Sequence, residues 1–378
     1  MTEDPAERAN ELLDRARSEP ATVDPRAFDD LLTAEKGHVR RYAIDGLQLL
    51  AARNPAVLND RAERLADLLT DSDSSVRAGA ADAFAGRMDP AAAVESARVL
   101  AGLLDDDFPV VRWNALEALV RAAREDPDTC RPFVDDVVPF LDADTDRVRN
   151  LAATFLSAVS KEYPETVVPI ADRLLDVLLS DVDDRVGVEP SMWSDPSAVQ
   201  SHVERLADEV VGHQRDLRQA AGRTVYEVTK AEPGVVASET DTVVALLGDS
   251  DPEIRRVALD VLSAIADEYP GRIAERADAI AALIDDDREA IAVRARACRV
   301  LAVVGADEPD TVTAVTVDRV EAIRRLLDHD AAAVRASAAD LLVLVADRDG
   351  DAVTSELRDL HDDSESVRGT AADALDDR

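Results

Sequence analysis

Leu103-Leu104-Asp105-Asp106-Asp107-Phe108-Pro109-Val110-Val111-Arg112 reads as the end of one helix, an acidic turn and the start of the next. Proline in a first turn and acids ahead of it both mark helix starts, because the first N–H groups of a helix need no proline hydrogen and favour negative charge. After the turn, Val111, Ala115, Ala118, Leu119 and Ala122 fall three or four apart and lay one apolar stripe along the helix. Glu125-Asp126-Pro127-Asp128 then stops it. A second amphipathic segment, predicted from about Thr129 to Leu141, leads into the next acidic turn, Asp142 to Asp146. The unit is an α-hairpin.

The same phrase returns along the chain as a β-branched or Leu residue followed by Arg, after an acidic turn and before an Ala/Leu-rich run. Its arginines are Arg40, Arg77, Arg112, Arg149, Arg218, Arg255, Arg294, Arg335 and Arg368, with gaps of 37, 35, 37, 69, 37, 39, 41 and 33 residues. The gap of 69 predicts a hidden, degenerate unit. Asp71, Asp106, Asp249 and Asp362 stand six residues before their arginines; other turns shift the acid, and Ala34 and Gly212 replace it. Thin layers of Ala, Val and Leu suit such an array, since aromatics make up only 3% of the chain.

With these turn aspartates and second-helix arginines, the chain resembles HEAT repeats, particularly the phycobilin-lyase-like variety. The resemblance implies an all-α fold, an α-solenoid of about ten HEAT-like helical hairpins. It also implies a structural Asp/Arg ladder between layers, made here of Asp71, Arg77, Asp106, Arg112, Arg149, Arg218, Asp249, Arg255, Arg294, Arg335, Asp362 and Arg368. The expected organisation is an N-terminal helical cap over 1–34, repeats over 35–180, an irregular loop over 181–196 interrupting a degenerate repeat, and repeats over 197–378, all in one continuous solenoid. In the loop, Gly187, Pro190 and Pro196 prevent a normal helix, and Trp193 is one of two tryptophans in the chain. An amphipathic helix resumes at about Ser197 and runs to Val211, ahead of the Arg218 helix.

The formal net charge is -36, with 54 Asp against 25 Glu and 40 Arg against three Lys. This composition resembles that of haloarchaeal cytosolic proteins, which implies a working environment of molar salt, where screening removes the cost of self-repulsion. Such a charge opposes binding to nucleic acid or to anionic membranes, both of which need a basic face. No stretch approaches 18 consecutive apolar residues, and Met1-Thr2-Glu3-Asp4-Pro5 has neither a basic nor an apolar leader region, so a cytoplasmic protein without membrane insertion is expected. Cys130 and Cys298 lie far apart, without metal-ligand spacing, and read as core residues.

No catalytic constellation emerges. His38, His202, His213, His329 and His361 are scattered, and GxSxG, Walker-type and HExxH motifs are missing from the sequence. The acidic turns lack the Gly and Glu positions of an EF-hand loop. None of the five histidines precedes Glu, as the iron-binding dipeptides of the HEAT-class deoxyhypusine hydroxylases require. A noncatalytic protein, with no cofactor and no metal, is the expectation.

In HEAT repeats the second helices line the concave side, and positions one, five, eight and twelve after each Arg make the stripe opposite the core. Around Arg77 and Arg335 these positions lean acidic, whereas the central units read Trp113, Glu117, Val120, Arg124; Asn150, Thr154, Ser157, Lys161; and Gln219, Arg223, Tyr226, Lys230. Trp113, Arg124, Lys161, Trp193, Arg223, Tyr226 and Lys230 are therefore the candidate partner-binding residues, with the aromatics as anchors and the cations for orientation. The expected partner is a protein presenting an acidic or mixed segment, and by analogy a signalling or motility component. The alternative is a lyase- or chaperone-like accessory factor holding a small molecule in a central groove, which an enclosed pocket beside Trp193 would favour.

Overall fold

The computed structural model describes residues 4–180 and 196–349 of the chain, with side chains over 4–180 and 212–345. Every regular element among the described residues is an α- or 3-10 helix. The long helices are those that carry the repeat arginines: Gly37–Ala51, Ser74–Ala85, Pro109–Glu125, Asp146–Ser160, Pro252–Ala266, Ile291–Asp307 and Ala332–Asp349, with Arg218 inside Pro196–Ala231. With the segments that precede them they form eight helical hairpins, an α-solenoid architecture as the repeat predicts. Contacts divide the chain into two compact units, one containing the chain up to Val167 and the stretch ending at Ala220, the other the segment from Val168 and the chain from Ala221 onward.

The turns explain why the helices start where they do. The Asp71 carboxylate accepts the N–H of Asp73 at 2.8 Å, and Asp73 accepts the N–H of Ser75 at 2.9 Å. Asp249 and Asp251 repeat the relay, at 2.8 Å to Asp251 N–H and 2.9 Å to Glu253 N–H. Each carboxylate satisfies a donor that the helix itself cannot. The following stripe is buried: Val111, Ala115, Ala118, Leu119 and Ala122 are completely covered.

Three expectations need correction. The single segment expected over Thr129–Leu141 is broken into Pro127–Cys130, Arg131–Phe133, Val134–Val137 and Val138–Asp142. The same break recurs in the first half of each later hairpin, at Arg61, Ser96, Phe133, Ile170, Glu239, Arg276 and Arg319, where φ lies between -123° and -95° and ψ between 1° and 19°. That bridge-region geometry ends one helix and starts the next in a new direction. In the cap, Pro5–Ser18 is helical, but the second expected segment is a series of 3-10 turns, Pro20–Thr22, Pro25–Phe28 and Leu31–Thr33, that seat Phe28 in the core.

The third correction concerns the long gap. The helix expected to end at Val211 runs without interruption into the Arg218 helix, giving Pro196–Ala231, 36 residues long. In the first unit Gln214 Nε2 donates to Asp146 at 2.9 Å, which makes the Arg218 helix the layer next to the Arg149 helix. In the second unit the Leu178 methyl and Val257 both lie against Gly222. Ala171–Leu179 is thus the first half of the hairpin that Arg218 completes, and the gap holds extra chain within one repeat rather than a degenerate second repeat. Residues 181–195 of the expected loop, with Trp193, lie outside the described residues, as do Asp362 and Arg368.

Candidate interaction surface

Each ladder arginine is held first by its own turn. Nη1 donates to the carbonyl six residues earlier: Arg40 to Ala34, Arg77 to Asp71, Arg112 to Asp106, Arg149 to Ala143, Arg255 to Asp249 and Arg335 to His329, at 2.6 to 2.8 Å. The other edge of the guanidinium reaches the next layer. Arg40 grips Asp71 at 2.7 and 2.6 Å, Arg77 grips Asp106 at 2.7 and 3.1 Å, and Arg255 grips Glu289 at 2.7 Å on both oxygens. The turn acid therefore pairs with the arginine of the preceding repeat, not with its own. These carboxylates are nearly covered, Asp106 at 7% and Glu289 at 5% side-chain exposure, so both charges need the partner. The Arg77 hydrogen bond, helped by the Phe108 N–H, holds the Asp106 carboxyl below its ordinary pKa against the opposing effect of desolvation.

Where the turn acid is missing, the ladder changes. Gly212 offers no carboxylate to Arg149, which turns back to Asp146 in its own turn while Gln214 takes the other oxygen of Asp146. Arg294 reaches the Ile284 carbonyl at 3.0 Å and Asp287 at 3.7 Å. Arg112 makes no ion pair among the described residues; six residues ahead of Arg149 its expected acceptor is replaced by Ala143.

A second set of rungs, which the sequence reading missed, sits at the helix breaks. Arg61 Nε donates to Asp29 at 2.6 Å and Arg276 Nε to Asp241 at 2.6 Å, while Arg319 pairs with Asp285 at 2.7 Å. In each case the acid belongs to the preceding repeat. The only signal for them was a 32- to 35-residue Asp-to-Arg spacing, lost among so many acids.

The proposed stripe is exposed at its ends but not throughout. Trp113 is 39% exposed, and Arg124, Lys161, Arg223 and Lys230 are all exposed. Position eight is different: Val120 and Ser157 are buried and Tyr226 is half-buried. Ala- and Gly-rich neighbours such as Ala78, Gly79, Ala80 and Ala81 let adjacent layers approach closely enough to cover the middle of each helix. Trp113, Arg124 and Lys161 belong to the first unit, and Arg223, Tyr226 and Lys230 to the second.

Within the first unit, Trp113 does not stand alone. Phe108 and Val110 are 51% and 52% exposed, so the first turn of the Pro109–Glu125 helix carries three large apolar side chains into solvent. Val110 and Trp113 are three apart on one helix face. Glu117, one turn further, pairs with Arg147 of the next layer at 2.9 Å. Within the second unit, Lys230 lies over the Tyr226 ring at 5.6 Å and pairs with Glu227 at 2.9 Å, which raises its pKa. Close by, Arg256 binds Glu253 and Asp260, and Arg296 reaches the other oxygen of Asp260 at 2.8 Å. The cations of this unit are largely engaged with acids across layers.

The remaining reactive groups are placed in the core. Cys130 and Cys298 are buried, and burial pushes both thiols up to about 12, so neither is a thiolate at neutral pH.

Hairpins at intervals near 37 residues, locked layer to layer by arginine and carboxylate, define a helical-repeat protein of the scaffold type. Residues 26–119 match the family model described as HEAT repeats, and residues 109–159 match the one described as HEAT-like repeat. Both describe HEAT repeats in general and neither the phycobilin-lyase-like variety. The crystal structure of an engineered protein from the Northeast Structural Genomics Consortium is similar over 94% of this chain and 98% of its own, with a TM-score of 0.62 and 21% identity, a likeness of fold alone. No curated protein matches the chain. No helix among the described residues is long and apolar enough to cross a membrane.

Proposed function

We propose that this chain is a noncatalytic scaffold or adaptor that binds a protein partner on the exposed first turns of its arginine-bearing helices. HEAT-repeat proteins typically bind protein partners, and the family match covers the helix that carries the key surface. The observation that carries the reading is the Phe108, Val110 and Trp113 trio, three large apolar groups in solvent on a chain whose aromatic content is 3%. Grouped exposed apolar side chains mark interaction sites, and Trp is the residue most enriched among binding hot spots. The exposed Arg223 with the Tyr226–Lys230 pair is a separate contact point of the second unit, suited to an acidic segment. The composition supports work in the cytoplasm of a high-salt cell, where apolar contacts carry much of the affinity because charge is screened.

The test is a pull-down in high-salt lysate with native protein and with the Phe108→Ser/Trp113→Ala double variant, both checked for an unchanged melting midpoint. Loss of the partner from the variant is expected. Undiminished recovery would remove this surface from the account.

A further inference from the structure

In three rungs of the ladder the Nε/Nη2 edge of the arginine is filled by a carboxylate of the following turn: Asp71 on Arg40, Asp106 on Arg77 and Glu289 on Arg255. Arg112 keeps the first half of this arrangement, with Nη1 on the Asp106 carbonyl at 2.6 Å, just as Arg255 sits on the Asp249 carbonyl at 2.6 Å. The guanidinium is planar and rigid, so the same stem position and the same pinned corner turn Nε and Nη2 toward the following turn. There stands Ala143, which has nothing to accept them with. Asp146, the next acid into the helix, is already shared by Arg149 and Gln214. Arg112 therefore offers a fork of donors, half-buried and without an ion pair among the described residues, beside the exposed Phe108, Val110 and Trp113.

We infer that this vacant rung is a carboxylate-binding site completed in trans: an Asp or Glu side chain of the partner, set among apolar residues, docks on Arg112 while its neighbours cover Phe108, Val110 and Trp113. Bidentate guanidinium–carboxylate geometry supplies the selectivity and the apolar trio supplies contact that survives high salt. Within the molecule the same fork takes a carboxylate in three other layers, so the chemistry of the occupant is set by the protein's own example. The inference rests on the scaffold reading and names what that surface selects.

Ala143→Asp places the missing acceptor in cis. The full-length chain melts higher with this substitution, because the rung closes as it does at Asp71 and Asp106; a lower midpoint would mean that the Arg112 edge does not face position 143 and would overturn the inference. In a fluorescence-anisotropy titration at high salt, the probe is a labelled peptide with one Glu between Leu and Ile in a Gly/Ser background, compared with its Gln twin. The native chain binds the Glu peptide about tenfold more tightly than the Gln peptide, the effect of one charge-assisted bidentate pair. Ala143→Asp and Arg112→Gln each erase that difference. Equal binding of the two peptides, no binding of either, or undiminished discrimination by Ala143→Asp overturns carboxylate capture. Because the melting arm needs no partner, a closed rung with failed peptide selectivity rejects this site and leaves the scaffold reading to the Phe108/Trp113 pull-down.

Discussion

Asp106 receives Nε and Nη2 of Arg77 and the N–H of Phe108, three donors on a carboxylate that is nearly out of solvent. Its depressed pKa has a definite sign in stability. As pH falls, the unfolded chain takes up the proton first, so the contribution of Asp106 is complete above the ordinary carboxylate pKa of about 3.9 and drains away below it. Asp106→Asn is expected to cost about 2–4 kcal/mol at neutral pH, since it strands a covered guanidinium. The gap between native and variant chains, read from urea unfolding, should narrow as pH drops below about 4; a gap constant with pH would show that the carboxylate's charge is not what the rung uses. A second residue-scale prediction concerns Gly46, where a Cβ would stand 2.3 Å from the Phe28 ring. Gly46→Ala should destabilise by about 1–3 kcal/mol despite better helix propensity, and Phe28→Leu in the same chain should recover part of the loss. The arginines of the ladder were legible in sequence because each recurs in the same local phrase. Their partners were less so: pairing runs from one repeat to the next, and the phrase shows Asp106 beside Arg112 although its carboxylate serves Arg77.

Among the elements, the arginine-bearing helices could be read from their stripes, caps and prolines, all local signals. The broken first helices could not. Arg61, Ser96 and Arg276 are neither Gly nor Pro, and the bends there are accompanied at Arg61 and Arg276 by ion pairs to the previous layer, which no single repeat reveals. The stripe opposite the core was right at its ends and wrong at Val120 and Ser157, because periodicity gives a helix face but not how closely the neighbouring layers approach. Gly212 misled in the other direction. It occupies the turn-acid position of its phrase and suggests a break, yet lies within Pro196–Ala231 with open space where its Cβ would be. Gly212→Ala is therefore expected to stabilise the chain by about 0.5–1 kcal/mol, through lower backbone entropy in the unfolded state and better helix propensity. A loss of stability, measured by thermal or urea unfolding, would instead place a turn at this position and undo the continuous helix.

At the scale of the whole molecule, the charge of -36 and the ladder act at different ranges. Many arginines are committed to short contacts in the rungs, such as 2.6 Å from Arg40 to Asp71 and 2.7 Å from Arg255 to Glu289, where little solvent intervenes. The acids in excess repel one another through water. Salt separates the two effects, since the screening length shrinks from about 10 Å at 0.1 M to about 3 Å at 1 M while covered pairs are screened far less. Raising KCl over that range should therefore lift the melting midpoint, because repulsion is removed without loosening the rungs. The penalty of Asp106→Asn, set against native chain at each salt concentration, should stay within about 0.5 kcal/mol of constant, as expected for a pair shielded from solvent ions. If the midpoint instead falls as KCl rises, the surface acids are not the dominant electrostatic cost and the high-salt reading fails. If only the Asp106→Asn penalty collapses, the rungs are exposed to screening, and packing between Ala-rich helices must hold the layers in register without them.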